Sequence, residues 1–464
     1  MKKKLLAICY EFAPVTTPTG IRTTKLLSLL TGWEIEVITV EAPTPQGDHI
    51  TLNTVSSGTP TALLRSLTKL KLDKVREWVV WPDDKIFWIL PALRKAMQIV
   101  RVQKPDAILV FMMPYASGII GLWLKRLTGL PVILNLDDSP TCTDMHPFFP
   151  SRLHYFLTRR LEDMYVQKTD ATIYVSEFNR RMVESRQPER YRPNLHLIRY
   201  GADPADFALP AKGASPEEPF RVVYLGGMNG WYQLTERPGQ KNSLAKRLFR
   251  WWTELGRLHL VRLDQRGSSP VFLGQAIQAA IAQTPDWKGR VQMEIYGNRY
   301  PQAVVKQVLE TQGIDAVVSV SGPVPNVEAI GIASRADLLF MTLPVRKDGT
   351  SGGRISAKTY EYLMTDRPIL AALPRGENWD FLEGKPGVWL VAPDDIGGMA
   401  RVVAELAAAK FAGSPQEFDR SALRAELSYQ SRAAQLAAVL DEATAAVPLP
   451  RRQAEAISVE ADTR

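Results

Sequence analysis

Short β-rich apolar runs alternate with helix-length segments twice over in this chain, and this repeat constrains the fold more than any other feature. "KLLAICY" (4–10), "EIEVITV" (34–40), "DAILVFM" (106–112), "PVILNLD" (131–137), "ATIYVS" (171–176) and "LHLIRYG" (195–201) read as buried strands, with helix-length segments at 86–103, 116–128 and 150–168. The pattern restarts with "RVVYLGG" (221–227), "VQMEIYG" (291–297), "VVSVSG" (317–322), "ADLLFMTL" (336–343), "PILAALP" (368–374) and "GVWLVAP" (387–393). Continuous apolar strands separated by helices belong to parallel sheets covered on both faces. The sequence therefore predicts an α/β protein of two Rossmann-like, doubly wound parallel-sheet domains facing a cleft. Ligands are expected at the carboxyl ends of the strands.

The boundaries follow from composition. A chain of 464 residues is too long for one ordinary domain. "PADFALPAKGASPEEP" (204–219) is rich in Pro, Ala and Gly and reads as a linker, which leaves domains over 1–203 and 220–416. A helix is expected over 417–445, and the tail 446–464 is expected to be disordered. The two cysteines make no disulfide framework, and neither they nor the five scattered histidines show metal-type spacing, so no metal site is expected. The apolar run after the basic start "MKKK" is six residues long, too short for a signal peptide or a span, and no run of 18 apolar residues occurs. A cytoplasmic protein is expected, at most peripheral at the inner face of the membrane, with no nucleic-acid partner.

One segment breaks the rhythm. Residues 231–270 stand where a short loop is expected after the first strand of the second domain. They hold eight Lys or Arg against three acidic residues, a net +5 of the chain's +8. Leu244, Leu248, Trp251, Trp252 and Leu255 fall on one helical face, with Lys246, Arg247 and Arg250 mostly off it and Ser243 placed to cap the start. A basic amphipathic helix with tryptophans suits an anionic membrane surface. The alternative is an insertion that packs on its own domain and leaves its charges in water.

Functional groups concentrate in "GGRISAKTYEYLMTDRPILAALP" (352–374). Gly352 and Gly353, followed by Arg354, allow the backbone close to a ligand. The helix starting near Ser356 offers free N–H groups and a positive dipole end, which together suit a phosphate. Lys358 lies in the first turn, where a cation opposes the dipole unless an anion is bound. Glu361 is one turn on, beside Lys358, and a carboxylate there can accept two ribose hydroxyls. The competing reading is an exposed Lys–Glu pair on a surface helix.

"SAKTYEYLMTDRPILA" resembles the donor-site motif of the GT-B glycosyltransferases of family 4, a Lys-x-x-Glu-Tyr-Leu helix followed by a turn, a proline and a strand. "IRYGADPADF" (198–207), "VVYLGGM", "MEIYGN" and "ATIYVSEFNRRMV" resemble further landmarks of that family and extend the likeness over nearly the whole chain. The resemblance implies transfer of a hexose-like sugar, with retention, from a nucleotide-diphosphate-sugar to a hydroxyl acceptor. Glu361 would bind the ribose, and the preceding loop and helix start would bind the diphosphate. In "EFAPVTTPTGIRTTKLL", Gly20 opens the helix that approaches the donor phosphates in the family; otherwise it is a plain helix start. Asp137 and Asp138 stand at a strand end, where relatives place a polar residue facing the reacting sugar or acceptor; otherwise they cap a loop. The implied chemistry needs no cofactor or metal beyond the donor, because backbone dipoles and cations stabilise the leaving diphosphate.

Two positions depart from the family. Many retaining relatives carry a second glutamate eight residues before the ribose-binding one, and that position here is Gly353. The Arg and Lys that follow the first strand of the second domain would fall in the insertion, where Arg237, Lys241 and Arg266 are candidates. The basic excess and the aromatic run "WVVWPDDKIFW" (78–88) suggest a glycan or lipid-linked acceptor in polysaccharide or cell-envelope synthesis, although a core role suits the aromatic run as well. A nucleotide-sugar epimerase and a non-catalytic nucleotide-sugar-binding protein are the competing functions.

Overall fold

Seven parallel strands make the first sheet: β1 (Lys3–Ile8), β2 (Trp33–Thr39), β3 (Ile50–Thr54), β4 (Ala107–Phe111), β5 (Val132–Leu136), β6 (Ala171–Tyr174) and β7 (Leu195–Leu197). The computed structural model describes residues 2–15, 17–40, 43–58, 60, 73–142, 144, 148–207, 215–228, 231, 234 and 244–445. Residues 208–214 of the expected linker, and the whole of the expected tail, lie outside these residues. Contacts divide the chain into two units. The first gathers the described residues of Met1–Met145, Phe149–Arg199 and Tyr429–Arg464, and the second those of His146–Phe148 and Tyr200–Ser428.

In the first unit the strand order is β3-β2-β1-β4-β5-β6-β7, with Leu5 of β1 in register with Ile35 and Ala107. The chain reverses direction across the sheet between β1 and β4, and in such sheets ligands bind outside the carboxyl ends at this reversal. β1, β4 and β5 are buried because helices cover both faces. One core joins them to the helices Pro18–Leu29 and Tyr429–Ala445, and the other to Ile89–Gln103, Ser117–Thr128 and Arg152–Lys168. β3 was not expected from the sequence. Its residues "ITLNT" are partly or fully exposed at the sheet edge, so they carry no continuous apolar run.

The second unit repeats the design with β8 (Phe220–Leu225), β9 (Val291–Tyr296), β10 (Val318–Ser321), β11 (Leu338–Thr342), β12 (Ile369–Ala372) and β13 (Val388–Val391). These are parallel in the order β10-β9-β8-β11-β12-β13, so the reversal lies between β8 and β11. The helix expected over 417–445 is two helices. Ser421–Leu427 stops at Ser428, which is extended (φ −65°, ψ 151°), and Tyr429–Ala445 buries Leu436 and Leu440 in the first unit. No glycine or proline marks this break in the sequence, which hid it.

Within the insertion, the helix Leu244–Glu254 leaves Leu244, Leu248, Phe249, Trp251, Trp252 and Leu255 exposed, with Trp251 at 61%. The following chain packs back onto its own unit through a short antiparallel pairing of Leu263–Asp264 with Val345–Arg346. Ser243, the expected cap of the helix, lies outside the described residues. No helix among the described residues is long and apolar enough to cross a membrane.

Candidate active site

The second unit builds a cation over a glycine floor. β8 ends at Leu225, and the Gly226 N–H donates to the Tyr296 carbonyl at 2.6 Å. A Cβ on Gly297 (φ +108°) would come within 2.8 Å of the Gly226 Cα, so backbone rests on backbone there. A Cβ on Gly226 (φ +119°) would in turn lie 2.8 Å from Lys358 Nζ. Both positions therefore need glycine for their left-handed backbone, and Gly297 needs it for space as well. The ammonium group of Lys358 lies directly above this floor, 5.2 Å from the Tyr224 ring centroid.

Lys358 is held there by the rest of its helix, Ala357–Leu363. The buried Tyr362 hydroxyl accepts the Leu225 N–H at 3.0 Å, which pins the helix to the end of β8. The Thr359 hydroxyl donates to Asn378 Oδ1 at 2.9 Å, and Tyr360 packs against Phe381. Thr359, Tyr360, Tyr362 and Leu363 thus serve the core, and Lys358 and Glu361 are the two charged side chains left at the surface, one turn apart. Glu361 is partly exposed, yet burial of its carboxyl pushes the pKa above the ordinary value, with Lys358 opposing. No group among the described residues hydrogen-bonds this carboxylate. The helix thus holds a cation and, one turn on, a partly exposed carboxylate with no hydrogen-bond partner among the described residues.

The other predicted donor residues divide. Gly352 makes its close approach within the protein: it pairs with Gly376, and its carbonyl accepts the Glu377 N–H at 3.0 Å. Gly376 (φ +149°) must be glycine, because a Cβ there would lie 2.7 Å from that carbonyl. Gly353 is buried beside this bridge, and Arg354 is partly exposed in the loop before the helix. Arg237 and Lys241 lie outside the described residues. Arg266 is exposed and paired with Asp264 at 2.6 Å.

In the first unit, Asp137 and Asp138 follow β5 but differ in surroundings. Asp137 is buried and forms an ion pair with Arg22 at 3.2 Å, their side chains 6% and 1% exposed. It also accepts from the Thr19 hydroxyl at 2.9 Å and Asn135 Nδ2 at 3.4 Å, while Arg22 donates to the Ile198 carbonyl at 3.2 Å. These bonds fasten the first turn of Pro18–Leu29, with Gly20 in it, to the carboxyl end of the sheet. Thr17 caps that turn by accepting the Gly20 N–H at 3.1 Å. Asp138 is partly exposed and accepts from Asn179 Nδ2 at 3.5 Å. Arg22 escaped the sequence reading, as did the floor role of Gly226 and Gly297. The one signal for Arg22 was Asp137 itself, since a carboxylate directly after an apolar strand needs a counter-charge if buried.

Among the described residues no group of three or more His, Cys, Asp or Glu is arranged to hold a metal ion.

Two doubly wound parallel sheets, each with its reversal point and with polar groups at the carboxyl ends, define the GT-B fold, and the resemblance to the GT-B glycosyltransferases holds across the chain. Residues 30–206 match the family model for Glycosyltransferase Family 4. Among solved structures, sucrose-phosphate synthase from Thermosynechococcus elongatus is similar with a TM-score of 0.60 and 13% identity, over 96% of this chain and 100% of that one. HepE from Anabaena, solved in complex with UDP-glucose, has a TM-score of 0.56 and 14% identity, over 95% and 99%. The α,α-trehalose 6-phosphate synthase of Burkholderia multivorans has 0.56 and 13%, over 96% and 100%. At these identities the likeness is one of fold. No curated protein sequence matches the chain.

Proposed function

We propose that this protein is a glycosyltransferase that moves a sugar from a nucleotide-diphosphate-sugar to a hydroxyl of a glycan or lipid-linked acceptor in polysaccharide or cell-envelope synthesis. The observation that carries the reading is the Lys358 ammonium over the Gly226–Gly297 floor, with the Glu361 carboxylate, which no described residue hydrogen-bonds, one turn away. In this reading Glu361 accepts the ribose hydroxyls, and Lys358 meets the diphosphate. As the sugar–phosphate bond breaks, negative charge grows on the leaving diphosphate, and a fixed cation stabilises that state more than the ground state. The UDP-glucose complex of HepE supports a donor of this class. Asp138 is the acceptor-side group that meets the reacting sugar or the acceptor hydroxyl, and Asp137 holds the Gly20 turn in place for the donor phosphates. Retention at the anomeric carbon is proposed on the family resemblance, with Gly353 leaving the sugar contact to other groups.

Turnover of a panel of nucleotide-sugars, with product analysis, tests this directly. Release of nucleoside diphosphate with a glycosylated acceptor is the expected result. An epimerised nucleotide-sugar, or tight binding without turnover, would overturn it in favour of an epimerase or a binding protein. Because Lys358 supplies the charge at the diphosphate, activity is expected to persist in EDTA, and a strict need for added divalent cation would count heavily against the mechanism.

The acceptor reading also uses the helix Leu244–Glu254. Its exposed apolar side chains, within a segment of net charge +5, suit an anionic membrane surface. Trp251→Ala with Trp252→Ala is expected to weaken binding to anionic liposomes and to leave nucleotide affinity unchanged. Unaltered liposome binding would return the helix to a packing role.

A further inference from the structure

Asp138 is the one partly exposed residue between Pro131 and Thr141; the chain before it is buried, and Ser139, Pro140 and Thr141 return to the interior directly after it. On one side the sheet fixes its place, since β5 ends two residues earlier at Leu136. On the other side the sheet has ended, and side chains hold the turn. Ser139 Oγ accepts the Thr141 N–H at 3.3 Å. The Thr141 hydroxyl in turn donates to the carboxylate of Glu162, on the helix Arg152–Lys168.

Glu162 is the centre of a buried network. One of its oxygens accepts the Tyr174 hydroxyl at 3.2 Å, and the other accepts the Thr141 hydroxyl and Arg186 Nη2. Arg186 spreads its guanidinium fork over the same turn. Its Nη1 donates to the Thr141 oxygen at 2.9 Å and lies 3.8 Å from Cys142 Sγ, while its Nε donates to Asp163 at 2.8 Å. Arg186 follows the helix Glu177–Glu184, and the first turn of that helix carries the buried Asn179, whose Nδ2 donates to Asp138 at 3.5 Å. Asn179 Oδ1 has no hydrogen-bond partner among the described residues. One helix thus meets Asp138 at its start and Thr141 just beyond its end.

We propose that Thr141 and Arg186 are positioning residues for sugar transfer: they hold the turn after Asp138, so that its carboxylate stands in one place before the reacting sugar or the acceptor hydroxyl. The proposal rests on the reading of Asp138 given above, and both residues act through Asp138. Stability alone does not call for this network. A buried ion pair adds little over apolar side chains of the same volume, and the unpaired Asn179 oxygen is a further cost. These costly groups converge on the turn that carries Asp138. Transfer does call for them, because moving a reacting group by about 1 Å can lower the rate about a hundredfold.

The test is turnover of the full chain with the nucleotide-sugar and acceptor that the panel identifies, beside labelling of Cys142 by N-ethylmaleimide. Thr141→Val keeps the volume and removes the hydroxyl. It is expected to lower kcat by about tenfold to a hundredfold and to leave the KM for the donor within about twofold of wild type. Thr141→Ser, which keeps the hydroxyl, is expected to restore most of the rate. Thr141→Val added to Asp138→Asn is expected to lower kcat no further than Asp138→Asn alone, the mark of two residues acting as one. Cys9 is buried and Cys142 partly exposed, so labelling reports on the turn. It should be severalfold faster in Thr141→Val and unchanged in Thr141→Ser. Melting curves establish folding, and Arg186→Lys, which keeps the charge and loses the fork, gives the same reading should Thr141→Val fold poorly. With Asp138→Asn impaired, the proposal alone is overturned if Thr141→Val turns over or labels as wild type does, or if its effect on kcat multiplies with that of Asp138→Asn. Wild-type turnover of Asp138→Asn, or no turnover of any nucleotide-sugar, instead overturns the reading of the site and this proposal with it.

Discussion

Arg22→Met is expected to destabilise the first unit by about 3–5 kcal/mol, the usual cost of removing one partner of a buried ion pair. The loss comes less from the missing attraction than from Asp137, whose carboxylate would stay buried without the Arg22 cation, the Thr19 hydroxyl and Asn135 amide among the bonds it keeps. For a unit of this size, roughly 2–4 °C of melting temperature is lost per kcal/mol, so the first unit's transition should fall by about 6–20 °C. Adding Asp137→Asn removes the stranded charge, and the double variant should regain most of the loss. A double variant no more stable than Arg22→Met would show that the pair is not the source of the effect. The same pair separates the two aspartates functionally. Asp138→Asn should reduce turnover at a nearly unchanged melting temperature, whereas changes at Asp137 should move both together.

The central strands β4, β11 and β12 were legible because each is a predominantly apolar run buried on both faces, and such runs need no knowledge of their partners. β3 was not, since an exposed edge strand has no reason to be apolar, and "ITLNT" carries only the pairing with β2. The break at Ser428 was invisible for a related reason. Each helix around it brings apolar side chains to a core, Leu427 from the first and Leu436 and Leu440 from the second, and the sequence cannot say in which unit each finds it. At the site, Lys358 and Glu361 were legible by their spacing on one short helix, as charged groups that the core did not need. Their setting was not, because Gly226, Gly297 and Tyr362 come together only through the pairing of β8 with β9 and the docking of the helix on β8. Gly352 misled in the same way. A glycine signals a close approach, but not whether a ligand or Gly376 makes it.

Glu361→Ala is expected to weaken nucleotide binding by roughly tenfold to a hundredfold. A charge-assisted hydrogen bond to a ribose hydroxyl contributes about 1.5–3 kcal/mol, and each 1.4 kcal/mol is a factor of ten. The carboxylate has no hydrogen-bond partner of its own among the described residues, so ligand hydroxyls would replace lost hydration without displacing a protein bond. This has a signature in the free protein. Burial raises the carboxyl's pKa on folding, so the folded state holds the proton more tightly than the unfolded chain. The stability gained from that proton is present below the ordinary carboxylate pKa and is lost as pH rises through the raised value. Above the raised value the ionised Glu361 therefore destabilises the free protein, and there Glu361→Gln should melt at a higher temperature than wild type while binding nucleotide less well. Lys358→Ala should act chiefly on ligands with a diphosphate and spare the bare nucleoside. Calorimetry with nucleoside, nucleoside diphosphate and nucleotide-sugar on the three variants, beside melting curves without ligand, resolves these effects. Wild-type affinity of Glu361→Ala for all three ligands would end the ribose assignment, and a melting temperature for Glu361→Gln equal to wild type across the whole pH range would show that burial of the carboxylate costs the free protein nothing.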